Sequence, residues 1–308
     1  MSPRCADARD IARPIYAATQ SGDISLLDAA VADDIVEHPL NPGQIRGRDA
    51  LKQTFGGLSK MVPDLSLKIQ DMIAAGDKVA VRSIVRGTPA ESYLGVPANG
   101  RSMEFEAIDI WRIEEGRIIE GWHVEDFVRV LIDWGVVPLP ARSSPGPMRE
   151  LDSPAADAAT DVVREWYTAL HRGRAEGLAK LFSEEFVNSD PLGPSLGISQ
   201  GIEGARADIA TLREAFPDLD VSVADMFAEH DKVVARVIVR RTQLGPLPGI
   251  DATRKRMAVM GNEIWRVSGK QIVDHWGRFE DLDLLMQLGV LPDFFSVIKE
   301  PGLSVDAS

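Results

Sequence analysis

An internal repeat is the feature that most constrains the fold of this chain. Gly47 in the first half matches Gly201 in the second, and Trp122 matches Trp276, each pair being separated by 154 residues. Solenoid repeats recur roughly every 20–50 residues, so a constant offset over so long a segment indicates two homologous domains. A chain of 308 residues has room for two domains of ordinary size.

The repeat also suggests where the domains begin and end. We assign residues 1–140 to the first domain and residues 157–308 to the second. Residues 141–156 are rich in Pro, Ser and charged side chains, so we interpret them as a linker. Tyr16 and Tyr167 are 151 residues apart, which means that the second copy carries three extra residues downstream of this pair.

Composition limits the classes of partner. The formal net charge is −13 at pH 7 and no basic stripe is visible, so we expect neither nucleic acid nor an anionic membrane as a partner. The N-terminal segment lacks the apolar core of a signal peptide, and no apolar run is long enough to span a bilayer, so we expect a cytoplasmic protein. The single cysteine, Cys5, argues against a disulfide framework or a cysteine metal site.

Hydrophobic periodicity predicts the same order of elements in each copy. In the first copy, apolar residues at helical spacing indicate three helices, the third of which stops before Pro63. The period then changes to two, which predicts four strands over Leu65–Ile73, Lys78–Gly87, Arg101–Ile113 and Arg117–Glu125. A short helix follows the last strand. This order is typical of an α+β fold, and we expect a curved antiparallel sheet wrapped around the long N-terminal helix, with a pocket at its open end.

The last strand of each copy leads to an acid that could do chemistry. Strand alternation places Trp122 and Asp126 on one face, and Trp276 and Glu280 on one face of the second copy. A carboxylate beside an indole in a poorly hydrated pocket has a raised pKa and can exchange protons near neutral pH. Asp126 and Glu280 are therefore candidate catalytic residues.

The same acids have a structural alternative. Asp126 directly precedes the helically spaced residues Phe127 and Val130, which is the position of a helix N-cap. In the second copy the capping interpretation favours Asp281, whereas the repeat register favours Glu280. Both interpretations stay open at this point.

Three histidines lie near these stretches. His38 follows the second predicted helix and is a candidate for orienting or protonating a carbonyl, with a backbone-bonded loop histidine as the alternative. The second copy has Asp190 in that region. His123 and His275 flank the tryptophans at positions that do not match in the repeat, and we expect both to be partly exposed strand residues.

Other polar residues could also face a pocket. Tyr16 and Tyr167 match in the repeat and could polarise a substrate oxygen, with core packing as the alternative. Arg82 and Arg236 also match in the repeat. A strand arginine that faces inward could pair with Asp109 or Glu263, or bind an anionic substrate group, with an exposed sheet position as the alternative. The predicted pocket residues are Tyr16, Trp122, Arg82, Asp109, Tyr167, Trp276 and Asp190.

Several reaction classes have no sequence support. The chain contains no HExxH motif, no Walker loop, no GxGxxG loop and no GxSxG elbow. We therefore expect no cofactor and no metal, and acid–base chemistry on a small organic molecule.

The motifs taken together resemble the SnoaL-like polyketide cyclase, or ester cyclase, family. The resemblance covers nearly the whole chain, once per copy. In the first copy it is carried by Tyr16, Gly22-Asp23, His38-Pro39, Gly47-Arg48-Asp49, Pro63-Asp64-Leu65, Gly76–Arg82, Leu94–Gly100 and Gly116–Asp126. It implies two tandem cone-shaped α+β barrels of the nuclear transport factor 2-like, or cystatin-like, type. Relatives are often dimeric, so the two domains are expected to form an intramolecular pseudo-dimer, with further oligomerisation left open.

The resemblance also implies a reaction, the cofactor-independent intramolecular aldol closure of polyketide esters. The family's terminal-strand aspartate, which by position resembles Asp126, is the general acid/base, and the second copy departs from this pattern with Glu280. We expect an enzyme acting on an apolar, carbonyl-bearing small molecule. The alternatives are an isomerase, a dehydratase, an epoxide hydrolase using Arg82 with Asp109 and Asp126, or a non-catalytic small-molecule binding module.

Overall fold

The computed structural model describes residues 7–39, 46–137, 155–171, 178–189, 199–247 and 249–291. Asp190 and all but the last two residues of the predicted linker lie outside these ranges. A helix begins at Ala156, so the final residue assigned to the linker is helical.

The first domain contains four helices and a five-stranded sheet within its described part. The helices are α1 (Ala8–Ser21), α2 (Leu27–Ala30), α3 (Arg48–Met61) and α4 (Phe127–Asp133). The strands are β1 (Val31–His38), β2 (Ser66–Ala75), β3 (Lys78–Gly87), β4 (Met103–Glu114) and β5 (Arg117–Glu125). The order across the sheet is β1-β5-β4-β3-β2, with β1 parallel to β5 and the other pairs antiparallel.

The second domain repeats this plan, with a short 3₁₀ helix (Leu178–Leu181) in place of α2. Its helices are α5 (Ala156–His171), α6 (Gly201–Ala215) and α7 (Asp281–Leu288). Its strands are β6 (Phe182–Asn188), β7 (Ser199–Gln200), β8 (Asp220–Glu229), β9 (Lys232–Thr242), β10 (Arg256–Ser268) and β11 (Gln271–Phe279). The order is β7-β6-β11-β10-β9-β8, and β6 is parallel to β11.

The long first helix of each domain is bounded by local signals. The side chain of Asp7 accepts a hydrogen bond from the backbone N–H of Arg9, which caps α1. Gly22 ends α1 in the left-handed region, with φ of 73°, and donates its N–H to Ala18 O at 2.8 Å. The α+β prediction and the repeat of one fold in two domains are confirmed.

The four predicted strands of each copy pair antiparallel, but the edge strands β1 and β6 were not predicted and pair in parallel. β1 lies along the edge of the sheet, and its pairing with β5 shifts between Val31 and Val36. The buried residues Val31 and Ile35 are therefore four apart, a spacing that a helix would also show. His38 consequently ends a strand and does not lie in a loop.

The central strands of each sheet are largely buried on both faces. The inner face covers the long helix, as Tyr16 of α1 packs with Trp111 of β4, and Tyr167 of α5 packs with Trp265 of β10. The outer faces of the two sheets contact each other. This shared cluster contains Ile73, Ala80, Ile108, Ile110, Trp122, Val234, Ile264 and Trp276.

Polar contacts between the two sheets follow the repeat. Lys78 pairs with Asp225 at 2.9 Å, and its repeat counterpart Lys232 pairs with Asp71 at 2.8 Å. At one end of the interface α4 packs against α7, where Leu131 and Leu285 are fully buried. The buried contacts hold the outer face of each sheet out of solvent.

Candidate functional site

The second domain contains a cavity of about 120 Å³ between α5, α6 and the inner face of its sheet. Most of its wall is apolar, and the aromatic part comprises Trp166, Phe182, Phe186, Trp265 and Phe279. The polar lining residues are Tyr167, Asn188, Asp208, Arg241, Glu263, His275 and Asp281. An apolar cavity with a few convergent polar groups is the usual form of a small-molecule site.

One wall of the cavity is a continuous hydrogen-bonded network. Trp265 donates its indole N–H to the Tyr167 hydroxyl at 2.9 Å, and that hydroxyl donates to Oε2 of Glu263. Oε1 of Glu263 lies 3.1 Å from Nε2 of His275. Nδ1 of His275 lies 2.8 Å from Oδ1 of Asn188. A buried carboxylate and an imidazole are thus in direct contact at the cavity wall.

The network determines which imidazole nitrogen carries a proton. The Asn188 side-chain N–H donates to Oδ2 of Asp208 at 3.1 Å, so its oxygen is turned toward His275. An oxygen there requires a proton on Nδ1 of His275. Nε2 then shares a second proton with Glu263, as imidazolium with carboxylate or as imidazole with carboxylic acid. This pair can accept or deliver a proton.

The Tyr167 hydroxyl stays protonated in this setting. Burial raises its pKa well above the ordinary tyrosine value, and the adjacent Glu263 carboxylate raises the pKa further. The cavity therefore keeps a neutral hydroxyl donor beside the proton-sharing pair.

The first domain carries a matching network. Trp111 donates its indole N–H to the Tyr16 hydroxyl at 2.9 Å, and that hydroxyl donates to Oδ2 of Asp109 at 2.8 Å. Nδ1 of His123 lies 3.2 Å from Oδ1 of Asp109, and its Nε2 lies 3.5 Å from Glu37. Burial lowers the pKa of His123, but the hydrogen bonds with Asp109 and Glu37 and the charges of Asp109 and Glu125 outweigh it and raise the pKa to about 10.

The two histidines occupy equivalent space from different sequence positions. The first copy has Gly121 before Trp122 and His123 after it, whereas the second has His275 before Trp276 and Gly277 after it. A Cβ added to Gly121 would lie 2.9 Å from the His123 ring, and one added to Gly277 would lie 2.9 Å from the His275 ring. Each glycine leaves room for the imidazole two residues away.

The expectation that both histidines are partly exposed is therefore wrong for His275, which is 4% exposed. The reversed triplets Gly-Trp-His and His-Trp-Gly were the sequence signal that could have revealed the pair. Position-by-position matching obscures this signal, because the imidazoles match in space and not in register.

Trp122, Trp276 and Arg82 are not among the residues that line this cavity, and their assignment to a substrate pocket stays a prediction. They project from the outer faces of the sheets into the contact between domains. The Arg82 guanidinium lies 4.9 Å from the Trp276 ring centroid, and that of Arg236 lies 4.4 Å from the Trp122 centroid. Successive side chains of β11 point to opposite faces of the sheet, so Trp276 points outward and the preceding His275 points inward.

The three residues proposed for epoxide hydrolysis do not converge. Arg82 stands opposite Ile108 in the strand register and pairs with Glu106 at 3.5 Å on the outer face. Asp109 points to the inner face, where it contacts Tyr16. Arg82 and Asp109 are therefore separated by the sheet.

Asp126 has the geometry of a helix N-cap. It precedes α4, is 2% exposed, and its Oδ1 accepts a hydrogen bond from Arg129 N at 3.2 Å. Its catalytic role remains a prediction.

The capping interpretation for Asp281 is wrong, because the N-cap of α7 is Glu280. Oε2 of Glu280 accepts the N–H of Met260 at 2.9 Å, and burial raises the pKa of Glu280. Asp281 is the first residue of α7 and lines the cavity.

His38 contacts Glu120 and the Trp122 ring. Its Nε2 lies 3.0 Å from Oε1 of Glu120, and its ring stacks on the Trp122 indole with centroids 5.5 Å apart. It thus shares the outer-face position of Trp122. Of the predicted pocket residues, the structure places Tyr167 in the cavity wall and Tyr16 and Asp109 in the matching network of the first domain.

Aromatic rings occupy the open end of the first barrel. Phe127 takes the position of Asp281, and its ring lies 4.9 Å from that of Phe105 and 6.2 Å from that of Tyr93. Tyr93 also meets the ring of Trp134. The repeat counterparts of Phe105, Tyr93 and Trp134 are the smaller residues Val259, Leu247 and Leu288. The second domain is therefore less filled at this end.

Within the ranges that the structure describes, His, Cys, Asp and Glu side chains form no group of three or more that could hold a metal ion. None of the helices in these ranges is long and apolar enough to cross a bilayer.

Comparison with known proteins gives the family. The profile of the family described as SnoaL-like polyketide cyclase matches residues 9–133 and 160–288. A comparison with curated proteins returned no match.

Three similar solved structures each cover less than half of the chain. IdmH from Streptomyces antibioticus is 31% identical, covering 42% of this chain and 99% of its own, with a TM-score of 0.38. TsrD from Streptomyces laurentii is 29% identical, with coverages of 46% and 100% and a TM-score of 0.39. A candidate polyketide cyclase from Bacillus cereus ATCC 10987 is 29% identical, with coverages of 42% and 80% and a TM-score of 0.37.

The two profile matches account for most of the chain, one for each domain. The chain therefore belongs to the SnoaL-like polyketide cyclase family and carries two copies of its domain in tandem.

Proposed function

We propose that the chain is a cofactor-independent acid/base enzyme that acts on a small, largely apolar, carbonyl-bearing molecule in the second-domain cavity. The observation that carries this proposal is the contact between Glu263 and His275 in the wall of a mostly apolar cavity. Membership of a family of polyketide cyclases supports an aldol-type cyclisation as the reaction.

The geometry supports the following proton transfers. The Glu263–His275 pair removes a proton from the carbon next to a substrate carbonyl, and the electrons move onto the carbonyl oxygen as an enolate. The enolate carbon attacks a second carbonyl of the same molecule, and the resulting alkoxide takes the proton back from the pair. Tyr167, whose hydroxyl donates to Oε2 of Glu263, holds that carboxylate in position for the proton transfer. The proton taken from the carbon is returned to the alkoxide, so the reaction needs no cofactor.

A second candidate places the chemistry in the first domain. There Asp126 is the proposed general acid/base, by its position on the terminal strand, with His38 assisting. Glu280 is the corresponding proposal in the second domain, and the raised pKa of its buried carboxyl suits proton exchange. These residues differ from Glu263 and His275, so substitution separates the candidates.

We also infer that the contact between the two sheets is the intramolecular counterpart of a dimer contact. The ion pair of Lys78 with Asp225 and that of Lys232 with Asp71 are related by the repeat. The stacking of Arg82 on Trp276 and of Arg236 on Trp122 is related in the same way. Contacts that occur in such pairs are typical of an interface with twofold symmetry.

The first test measures α-proton exchange. The full chain is incubated in D₂O with a panel of 1,3-dicarbonyl compounds, and loss of the α-proton signal is followed by NMR. Glu263→Gln should lower the exchange rate by about 10²-fold or more, because it removes the proton acceptor. Glu104→Gln, which removes a surface ion pair with Arg86, should leave the rate unchanged.

The outcomes separate the alternatives. Full exchange in Glu263→Gln together with its loss in Asp126→Asn would move the reaction to the first domain. Saturable binding of the panel without any exchange by the wild-type chain would favour the binding module. Isomerases and dehydratases share the proton removal, so product analysis is needed to tell them from a cyclase.

A further inference from the structure

We propose that Glu106 of the first domain is a positioning residue for His275 in the second-domain site, acting across the interface through Arg278. This inference rests on the proposed function of that site. The first domain would then contribute a residue that positions the second-domain site.

The contact begins with a buried ion pair. Arg278 lies on the outer face of β11, is 2% exposed, and its Nη2 binds Oε2 of Glu106. Glu106 is also buried and lies on β4 of the first domain, where Arg82 is its second cationic neighbour. A charged group buried in this way depends on its partner, because removal of one member leaves the other uncompensated.

The same guanidinium reaches the strand that carries Asn188. Nη1 of Arg278 donates to Ser189 O at 2.9 Å. Ser189 in turn donates its N–H to His275 O at 2.8 Å, and the preceding Asn188 orients the His275 ring through Nδ1. The end of β6 is thus held by the backbone of β11 and by a charge-assisted bond from Arg278.

The repeat indicates that this arrangement is specific to the second-domain site. The positions that match Glu106 and Arg278 are Met260 and Val124, so no equivalent ion pair exists at the repeat-related place. The position that matches Ser189 is His38, whose ring packs on Trp122. The cross-domain contact therefore supports the domain that has the described cavity and has no counterpart directed at the first domain.

Four other groups set the state of His275. Glu263 of β10 and Asn188 of β6 contact its two ring nitrogens, Asp208 of α6 holds the Asn188 amide, and Tyr167 of α5 holds Glu263. Displacement of β6 changes the Asn188 contact first. The Nδ1 proton then loses its acceptor. The distribution of the proton between Nε2 of His275 and the Glu263 carboxylate changes as a result.

The experiment observes the His275 ring in the full chain by NMR of isotope-labelled histidine over a pH series. The chain contains five histidines, and His275→Gln assigns the signal. Glu106→Gln should change the ring shifts of His275 and move its titration midpoint by about half a pH unit or more, a differential of about 0.7 kcal/mol. Glu106→Asp should restore part of the wild-type behaviour.

Two further variants keep the test decisive. The double variant Glu106→Met with Arg278→Val installs the residues found at the repeat-related positions and removes both members of this ion pair. Arg82 loses its Glu106 partner but keeps its stacking on Trp276, as its repeat counterpart Arg236 stacks on Trp122, so the variant should fold. Its His275 ring should still differ from wild type. The matched control Asp225→Asn breaks an ion pair of the same interface that does not reach β6, and His275 should be unaffected.

The result that overturns the proposal is a folded double variant whose His275 ring titrates as in wild type. A change of equal size in the Asp225→Asn control would also overturn it, because the effect would then come from general loosening of the interface. Failure of the proposed function has a different signature, namely no α-proton exchange by the wild-type chain. In that case a His275 titration that follows Glu106 still supports the positioning role.

Discussion

At the scale of single residues, the two domains differ in how many carboxylates surround the imidazole. In the first domain His123 contacts Asp109 and Glu37, and the charge of His123 also acts on the nearby Glu125 carboxyl. In the second domain an amide, Asn188, replaces one carboxylate and Phe279 takes the position of Glu125. The first-domain imidazole is held as a cation, whereas the second-domain imidazole contacts a single acid, Glu263.

The Glu125 carboxyl makes a pH-dependent contribution that can be tested. Burial raises its pKa to about 7, with the His123 charge opposing this rise. Because the folded-state pKa lies above the ordinary value of 4.5, this group's contribution to stability is present below that value and is lost as pH rises through 7.

Glu125→Gln should therefore raise the free energy of unfolding at pH 8 relative to wild type, because a neutral side chain replaces a buried charge. At pH 4, where Glu125 is protonated in both states, the difference should be small. Urea denaturation at the two pH values measures this. A variant that is less stable at pH 8 would show that the charged form of Glu125 is stabilised by His123.

At the scale of elements, β5 and β11 each turn a histidine and a glycine toward the interior. In β5 a Cβ at Gly121 would lie 2.5 Å from the Trp111 ring, whereas one at Gly57 of α3 would meet nothing within 4 Å. The inner face of β5 therefore depends on the absence of a side chain at Gly121. Gly121 and His123 lie two residues apart on the same face of β5, so the space left by the glycine is filled by the histidine ring.

Gly121→Ala should destabilise the protein by about 1–3 kcal/mol, since the added methyl group overpacks the space next to Trp111. The control Gly57→Ala should be neutral or stabilise the protein by up to about 1 kcal/mol. Alanine has a higher helix propensity than glycine, and the added methyl group meets no other atom. Chemical denaturation of both variants compares them directly. Equal stability of the two would mean that the Trp111 ring moves aside freely.

Sequence periodicity located most elements but missed β1 and β6. The apolar residues of β1 are four apart and are followed by charged ones, so neither strand alternation nor a continuous apolar run is visible. β1 becomes a strand because β5 offers it an edge to pair with. Such a pairing is a long-range interaction that local periodicity does not contain.

At the scale of the whole molecule, the outer faces of the two sheets form one buried cluster that couples the domains. Trp122 and Trp276 are central to it, each under an arginine from the opposite domain. Loss of a buried indole costs about 3–5 kcal/mol. The coupling should therefore depend strongly on these two residues.

We expect the wild-type chain to unfold in a single calorimetric transition and the double variant Trp122→Ala with Trp276→Ala to unfold in two. Each domain would then melt on its own inner core. The control Trp166→Ala removes a tryptophan that is 7% exposed, like Trp122, but lines the cavity. It should lower the melting temperature without separating the transitions. A single transition in the double variant would show that the remaining contacts suffice.

The sequence by itself determined the tandem repeat, the α+β class, the long first helix of each domain, and the terminal strand with its tryptophan and acid. These features follow from a constant residue offset and from local periodicity. Which face of that strand lines a site was decided only by the tertiary structure. Alternation separates an inner face from an outer one only when one of them meets solvent. Here both faces are buried, one around α1 or α5 and the other against the partner sheet, so Trp122 and Trp276 turned out to join the domains while His275 lines the cavity.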